Sequence, residues 1–541
     1  MMSKKNAFMR NASFLMMATL ISRVIGLLYR SPLGSIVGDV GLGYFGYANN
    51  VYVILLLISS YSIPMAVSKV ISERLALKQY RNAQKVFHGA LIYAGIVGGI
   101  AAAAAFFFGD LLLPVNQQQA LLALKCLAPA ILIAAFLGVL RGYFQAHNTM
   151  LPTSVSQILE QIVHAVVSIV GALILIKSFG VNEESKAIYG ATGATLGITF
   201  GGLFALGFML LVYFANRPRV LRKIHKDKTK KEESFREVFG IIFLMVTPII
   251  FNTFVYNASS YLDGRFFADI LAMKDVAADI VSAQWGEFSN YYLTLINIPL
   301  ALSSATSAAM MPEISSCYAI HDREGANAKI NEGIKLTMFL CIPAAVGLCV
   351  LAEPINGILF PAASELSVRL LSVGAITVVF SAVSTISNGV LQAIGRPRIP
   401  LRNAAISLVL NVITVIVISF FFPQIGVFSV IFANLVFAIS MCILNARALN
   451  KYLGYKDDLI NGYGKSFLAS AIMGALAWSV YNLLYTFLKV RIVCLAAAIG
   501  LAVCVYLILY VVVTGTDEEQ MRRFPMGRYM VKILRLIRVY R

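Results

Sequence analysis

The sequence predicts an all-α, polytopic membrane protein of about fourteen transmembrane helices, and three observations carry that expectation. Hydrophobic residues make up 59% of the chain and charged residues only 13%, whereas a soluble domain is about a quarter charged. Apolar runs of about twenty residues recur from end to end, each long enough to cross roughly 30 Å of hydrocarbon as a helix. The cations collect in alternate connections, as they do where short loops face the cytoplasm.

The amino-terminal stretch Met1 to Ile21 has a basic start and an apolar run, but Arg23 follows it and many spans come after, so it reads as a retained first helix. The later spans centre near Leu56, Gly98, Ala130, Val167, Phe204, Phe251, Leu300, Gly347, Thr377, Val412, Phe432, Leu476 and Val503. With a cytoplasmic amino terminus, the two ends and the inner connections hold about 35 of the 45 Lys and Arg, which predicts both termini in the cytoplasm of a multi-pass protein of the bacterial cytoplasmic membrane. The same distribution argues against nucleic acid as a partner, because the net charge of +19 is spread over short juxtamembrane loops that attract anionic membrane lipids. The seven cysteines are scattered through apolar runs and serve as small apolar residues.

Two segments read alike at nearly one separation. Gly142-Tyr-Phe-Gln-Ala is followed by Pro152 and Gly389-Val-Leu-Gln-Ala by Pro400, with the glycines 247 residues apart; Pro64-x-x-x-Ser68 and Pro312-x-x-x-Ser316 lie 248 apart. An even number of spans separates the copies, so the two halves point the same way, as in carriers whose halves are related by an axis along the membrane normal. The expected plan is a six-helix lobe over 1–216, a basic cytoplasmic linker over 217–237, a second six-helix lobe over 238–450, an additional helix pair over 451–513 and a basic tail over 514–541. Gly142, Pro152, Gly389 and Pro400 either end helices by their backbone chemistry or form the hinges of an inner gate.

Charges inside spans are the informative ones, since an isolated one costs about 3 kcal/mol on insertion scales and so faces a wet cavity or a partner. Arg23, in Ser22-Arg-Val-Ile-Gly26, falls roughly 22 Å along a span starting near Phe8, in the outer part of the bilayer, and Arg30 falls two turns later at the outer surface. Arg23 reads as a snorkelling or paired cation, or as a substrate contact; Arg30 as an interfacial anchor or a second one. Arg265 and Asp269 are four apart and can pair, which leaves Asp263 open to a cavity-lining role. Glu160 and His164 are also four apart, so they form either a satisfied structural pair or a proton or cation site coupled to transport. Asn388 and Asn411 more naturally bond neighbouring helices.

Gly41-Leu-Gly-Tyr-Phe-Gly46 spells a dinucleotide fingerprint, but it lies between spans with no strand before it, so it is expected to be an extracytoplasmic turn. The five histidines show no metal spacing, and no P-loop is present. No metal, cofactor or catalytic group is therefore expected.

The run Arg141-Gly-Tyr-Phe-Gln-Ala-x-x-x-Met150-x-Pro-Thr-x-x-Ser156-Gln-x-x-Glu160-Gln161 resembles the signature of the stage V sporulation protein B and polysaccharide-exporter branch of the multidrug/oligosaccharidyl-lipid/polysaccharide exporter superfamily. Ser22-Arg-Val-x-Gly26, Ile298-Pro-x-Ala-Leu-Ser-Ser-Ala and Leu391-Gln-Ala-x-Gly395-Arg-Pro-x-x-Pro400 extend the resemblance over roughly Phe8 to Val512. That branch is similar to the lipid II flippases of peptidoglycan synthesis, which implies fourteen spans, two lobes around a cationic cavity, and a last helix pair bordering a groove for a lipid tail. The resemblance matches Arg23 to the first-helix arginine that faces the substrate diphosphate. The acidic residue of the second helix and the arginine of the eighth in proteobacterial flippases have no match here, where Tyr44-Phe45 and Asn290-Tyr-Tyr-Leu-Thr294 stand; Arg265 is the expected substitute cation.

The function expected is export of an undecaprenyl-diphosphate-linked saccharide by alternating access, by a non-enzymatic carrier. The energy would come from the membrane potential or a Na⁺ or H⁺ gradient. Membrane lipids and cell-wall synthesis enzymes are the expected partners and a monomer the favoured state. The alternatives are a Na⁺- or H⁺-coupled multidrug antiporter, which needs an acidic cavity, and a non-transporting scaffold for cell-wall enzymes, which needs no buried charge.

Overall fold

A computed structural model describes residues 2–147, 149–225, 227, 233–456, 460–523 and 527–536. Among them every regular element is helical and no strand occurs. Among the described residues, eleven helices are long and apolar enough to cross a membrane, or twelve if the pair bent by 47° at residues 374–377 is one span. Two compact units emerge, Met1–Gly286 and Glu287–Arg541, and their boundary falls inside the apolar stretch Ala278–Ala319.

In the first unit, α1 (Met2–Ser59) is too long for one crossing and is broken at Gly38, whose φ of 73° and ψ of 167° are open essentially to glycine alone. A methyl placed there would touch nothing, so Gly38→Ala costs only backbone strain, expected at roughly 1–3 kcal/mol and read as a lowered melting temperature. The segment Gly41 to Gly46, expected as a turn, is instead buried helix. Its glycines let backbones approach: a side chain at Gly41 would lie 2.9 Å from the Ala187 carbonyl, and one at Gly43 would collide with Ser282. Glycine thus serves packing here, and the break comes earlier, where φ demands it.

After α2 (Ile63–Ala76), α3 (Tyr80–Phe107) and the short α4 (Gly109–Leu112) come α5 (Leu121–Ala146) and α6 (Leu151–Phe179). Within the polar linker expected over 217–237, α7 (Glu183–His225) runs on as far as His225 and α8 (Phe235–Met273) begins at Phe235. A capping box between Ser234 and Glu237 starts α8. The linker's acids hold it to the first unit, since Arg74 pairs with Glu233 at 2.7 Å and Asp227 accepts from the Arg81 backbone N–H at 2.7 Å.

The second unit takes up the end of α9 (Ala278–Glu287), then a π-turn over Phe288–Tyr292, α10 (Leu293–Ala319) and α11 (Arg323–Val350). The short α12 (Ala352–Leu359) and α13 (Glu365–Gly374) precede α14 (Thr377–Ala393), α15 (Arg398–Phe421) and α16 (Phe428–Leu453). Buried amides join these last three: Asn403 donates to Asn445 at 2.9 Å and Asn445 to Asn388 at 2.7 Å, the interhelical role expected of Asn388. The antiparallel pair α17 (Lys465–Leu488) and α18 (Arg491–Thr514) packs through small residues, Ala469, Ala477, Ala498 and Ala502. Tyr506 ties it to α11 by donating to the Phe339 carbonyl at 2.9 Å. Two tail helices, α19 (Glu518–Arg523) and α20 (Gly527–Leu536), tuck Met521, Val531 and Leu534 beneath that cluster. Arg535 donates to Glu518 at 2.9 Å and holds that exposed carboxyl below its ordinary range.

Candidate functional site

The site is built on the seam between α1 and α6. Ser22 Oγ donates to the Gln157 carbonyl at 3.4 Å, and Tyr29 shares a 3.3 Å hydrogen bond with His164 Nε2; both contacts join residues 135 apart in sequence. A methyl on Gly26 would sit 3.3 Å from Gln161 Nε2, again at that offset. A constant offset means that the helices run parallel and in register, with Ser22, Gly26 and Tyr29 facing Gln157, Gln161 and His164 at the i, i+4, i+7 spacing of one helix face.

This register gives heights relative to α6 that counting along α1 alone does not. Because α6 begins at Leu151, its partner level on α1 is residue 16, and the helix before that overhangs the first turn of α6. Arg23 then lies only about 10 Å along the seam, and Arg30 about 21 Å along a helix some 43 Å long, near its middle. Arg30 also lies within electrostatic reach of His164.

Direction follows from the same geometry. At about 100° per residue, Arg23 and Arg30 stand roughly 100° and 80° round α1 from Ser22, while Glu160 stands about 60° round α6 from Gln157 in the opposite sense. Across a parallel seam those rotations aim all three side chains to one side. Glu160 reaches Tyr52, on the part of α1 beyond its break, by its field. Arg23 is exposed and the Glu160 side chain is 36% exposed, so neither charge is sealed in the packed seam.

The Glu160–His164 hydrogen bond allowed by their spacing is not formed. Glu160 accepts instead from Arg141 Nη2 on α5 at 2.7 Å, with Arg141 Nε donating to Ser156 Oγ at 3.1 Å, and His164 turns to Tyr29. A charge-assisted bond to a guanidinium outcompetes a single i, i+4 hydrogen bond between carboxylate and imidazole. Arg141 is the partner that sequence reasoning passed over. It stood in the quoted signature, but no spacing rule links it to a residue nineteen positions away on the next helix.

Asp263 and Arg265 are placed otherwise than expected. Asp263 is only 1% exposed, so it does not line an open cavity in this state. Arg265 forms the expected pair with Asp269 at 2.8 Å and also donates to the Leu111 carbonyl at 2.7 Å, while Asp269 accepts from the Val115 N–H at 2.9 Å. These bonds clip the α3–α5 connection to α8, which occupies the guanidinium that was to replace a missing cavity cation. Arg265→Ala is expected to cost roughly 1–2 kcal/mol, discounted for partial exposure, and to lower the melting temperature without changing ligand affinity.

The repeat-related glycines do the same work in each unit. A side chain at Gly142, four residues before the end of α5, would lie 2.6 Å from the Pro64 carbonyl; one at Gly389, four before the end of α14, would collide with Ser307 and meet Met311 at 3.8 Å. Pro152 and Pro400 fall in the first turns of α6 and α15, where a missing N–H costs nothing.

A second feature is an apolar cavity of about 720 Å³ in the second unit, lined by Ile342, Val346 and Val350 of α11, Val379 and Val383 of α14, Ile443 of α16 and Phe467 of α17. It lies beside α17, whereas α17 and α18 close on each other.

Comparison with known proteins agrees with this architecture. The family model described as lipid II flippase MurJ matches residues 83–496. The lipid II flippase MurJ of Bacillus subtilis (strain 168) is 25% identical over 92% of this chain and 94% of its own length. Stage V sporulation protein B of the same organism is 23% identical over 98% of this chain and all of its own. Among solved structures, a lipid II flippase MurJ in an inward closed conformation superposes with a TM-score of 0.67 at 17% identity, covering 92% of this chain and 98% of that one. With most of its length matched and its helices laid out as in that fold, this chain belongs to the lipid II flippase MurJ family, a family of membrane transporters and not of enzymes.

Proposed function

We propose that the protein carries an undecaprenyl-diphosphate-linked saccharide across the bacterial cytoplasmic membrane by alternating access. The observation that carries this reading is the pair Arg23 and Arg30, two turns apart on one side of an intramembrane helix, which by the cost of burying charge in lipid is taken as the wetted side. A guanidinium grips a phosphate through two parallel N–H bonds, and the grip strengthens where water is scarce. The net cationic lining suits an anionic headgroup and not the organic cations of a multidrug antiporter. The relatives named for lipid II and for sporulation support a lipid-linked glycan as cargo.

Fourteen crossings follow if the 56-residue stretch Ile21–Ala76, broken at Gly38, is two, the bent α13–α14 pair is one and the 39-residue α8 is one. An even count places both termini on one side, and the basic loops make that side the cytoplasm. Gly142, Pro152, Gly389 and Pro400 are the proposed gate or hinge positions of the cycle, and the polyprenyl tail rides in the apolar cavity beside α17. The membrane potential or a Na⁺ or H⁺ gradient drives the cycle, with Glu160 and His164 the titratable groups nearest the headgroup.

Filling the cavity tests the assignment of the tail. Val379→Trp is expected to slow flipping of a long-chain polyprenyl diphosphate glycan at least tenfold while sparing a short-chain analogue, and equal rates for both would remove the tail from that cavity.

A further inference from the structure

Arg141 and Glu160 have a geometry that a purely structural ion pair does not require. On the α1–α6 register, Arg23 stands at the level of residue 158 of α6, between Gln157 and Glu160, so Arg23, Glu160 and the Arg141 guanidinium lie within about one helical turn of each other in depth. Glu160 turns to the side of the seam that Arg23 faces. Arg141 is the more buried partner, at 17% side-chain exposure against 36% for Glu160, and its Nε is fixed separately by Ser156, whose own hydroxyl donates to the Thr153 carbonyl at 2.7 Å. The guanidinium is therefore held in place by a neutral anchor. The carboxylate, the less buried of the two, is the partner able to leave. An anchored cation paired with a displaceable anion, beside a second cation, is the arrangement of an anion site occupied by an internal surrogate.

We infer that Arg141 is a second phosphate-binding cation and that Glu160 is a built-in stand-in for the substrate's diphosphate, exchanged for it on binding. This rests on the reading of Arg23 as the headgroup contact. In the exchange, the Arg141 Nη2–H bond to Glu160 Oε2 breaks and one to a phosphoryl oxygen forms, while Nε–H stays on Ser156. The carboxylate swings toward the side on which it is already 36% exposed. The surrogate gives the empty carrier a satisfied buried cation at a cost in affinity, since each incoming diphosphate must compete with it. It also supplies the cation that the seam needs once Arg265 is committed to Asp269. The chemical class recognised is a diphosphate, either as a lipid headgroup or free.

The test uses the full chain in nanodiscs of zwitterionic lipid, with farnesyl diphosphate and inorganic pyrophosphate as probes and affinity measured by calorimetry. Glu160→Gln removes the competing charge and keeps the shape, and is expected to tighten binding about tenfold; Arg141→Gln is expected to weaken it about tenfold, with Arg141→Lys between. A gain in affinity cannot arise from misfolding, so Glu160→Gln decides the matter even if Arg141→Gln is poorly folded. Tightening for farnesyl diphosphate alone assigns a lipid headgroup; tightening for both probes assigns the diphosphate irrespective of its tail. If Glu160→Gln binds no tighter than the parent while Arg23→Ala abolishes binding, the exchange is overturned and the headgroup reading stands. If Arg23→Ala binds like the parent, the headgroup reading itself fails.

Discussion

Replacing Arg23 by alanine is expected to abolish transport, by a factor of a hundred or more in flipping rate, without impairing insertion or folding. The side chain is exposed to the wetted side of the α1–α6 seam, so its removal leaves no cavity in a packed core, and the seam itself is held by Ser22, Gly26 and Tyr29. Arg23→Lys keeps the charge and loses the planar fork, so it should retain part of the activity. Size-exclusion profiles and melting temperatures of the purified variants separate this outcome from collapse. An alanine variant that complements a depletion strain at the parental level would contradict the role given to Arg23, while leaving the helical architecture untouched.

The second large effect is on folding. Gly142→Val places branched carbon against the Pro64 carbonyl, which a side chain there would already meet at 2.6 Å, and against Val67. Backbone cannot yield as a flexible side chain does, so α5 must lift from α2, at a cost of roughly 1–3 kcal/mol or more. The expected result is loss of detergent-stable protein, measured as monodisperse yield. Gly389→Val meets the Ser307 hydroxyl first, and Ser307→Ala should partly rescue it; no serine-to-alanine change rescues Gly142. That difference distinguishes a contact with backbone from one with a side chain.

Much of the fold was legible because a membrane imposes it. Hydropathy and loop cations specify an all-helical, multi-pass chain before any contact is known. The glycine–proline repeat was legible as well, although its meaning was not: the glycines prove to be close contacts made four residues inside helix ends, and the prolines open the next helices. Height along the bundle was not legible, for a physical reason. A hydropathy run gives the length of α1, but only the register with its neighbour α6 says which residues of the two helices share a level.

The partners of the charges were the least legible part. Spacing within one helix correctly paired Arg265 with Asp269, yet the same rule offered Glu160 to His164, when a guanidinium on α5 was the stronger claimant. A sequence carries intrahelical geometry directly and interhelical geometry only through the fold. One cue was available in retrospect: Ser22, Gly26 and Tyr29 repeat at the spacing of Gln157, Gln161 and His164, which is the pattern of two small-and-polar faces made to meet.

The central claim is that the wetted side of the α1–α6 seam carries an anionic lipid headgroup across the membrane. The most direct measurement is a flipping assay on the purified chain in liposomes, against a panel of undecaprenyl-diphosphate-linked glycans and a neutral polyprenyl glycan of matched size. The account predicts transfer of one or more of the diphosphate lipids, no transfer of the neutral lipid, and loss of transfer in Arg23→Ala. Equal movement of the neutral and diphosphate lipids, or full activity of Arg23→Ala, would contradict it.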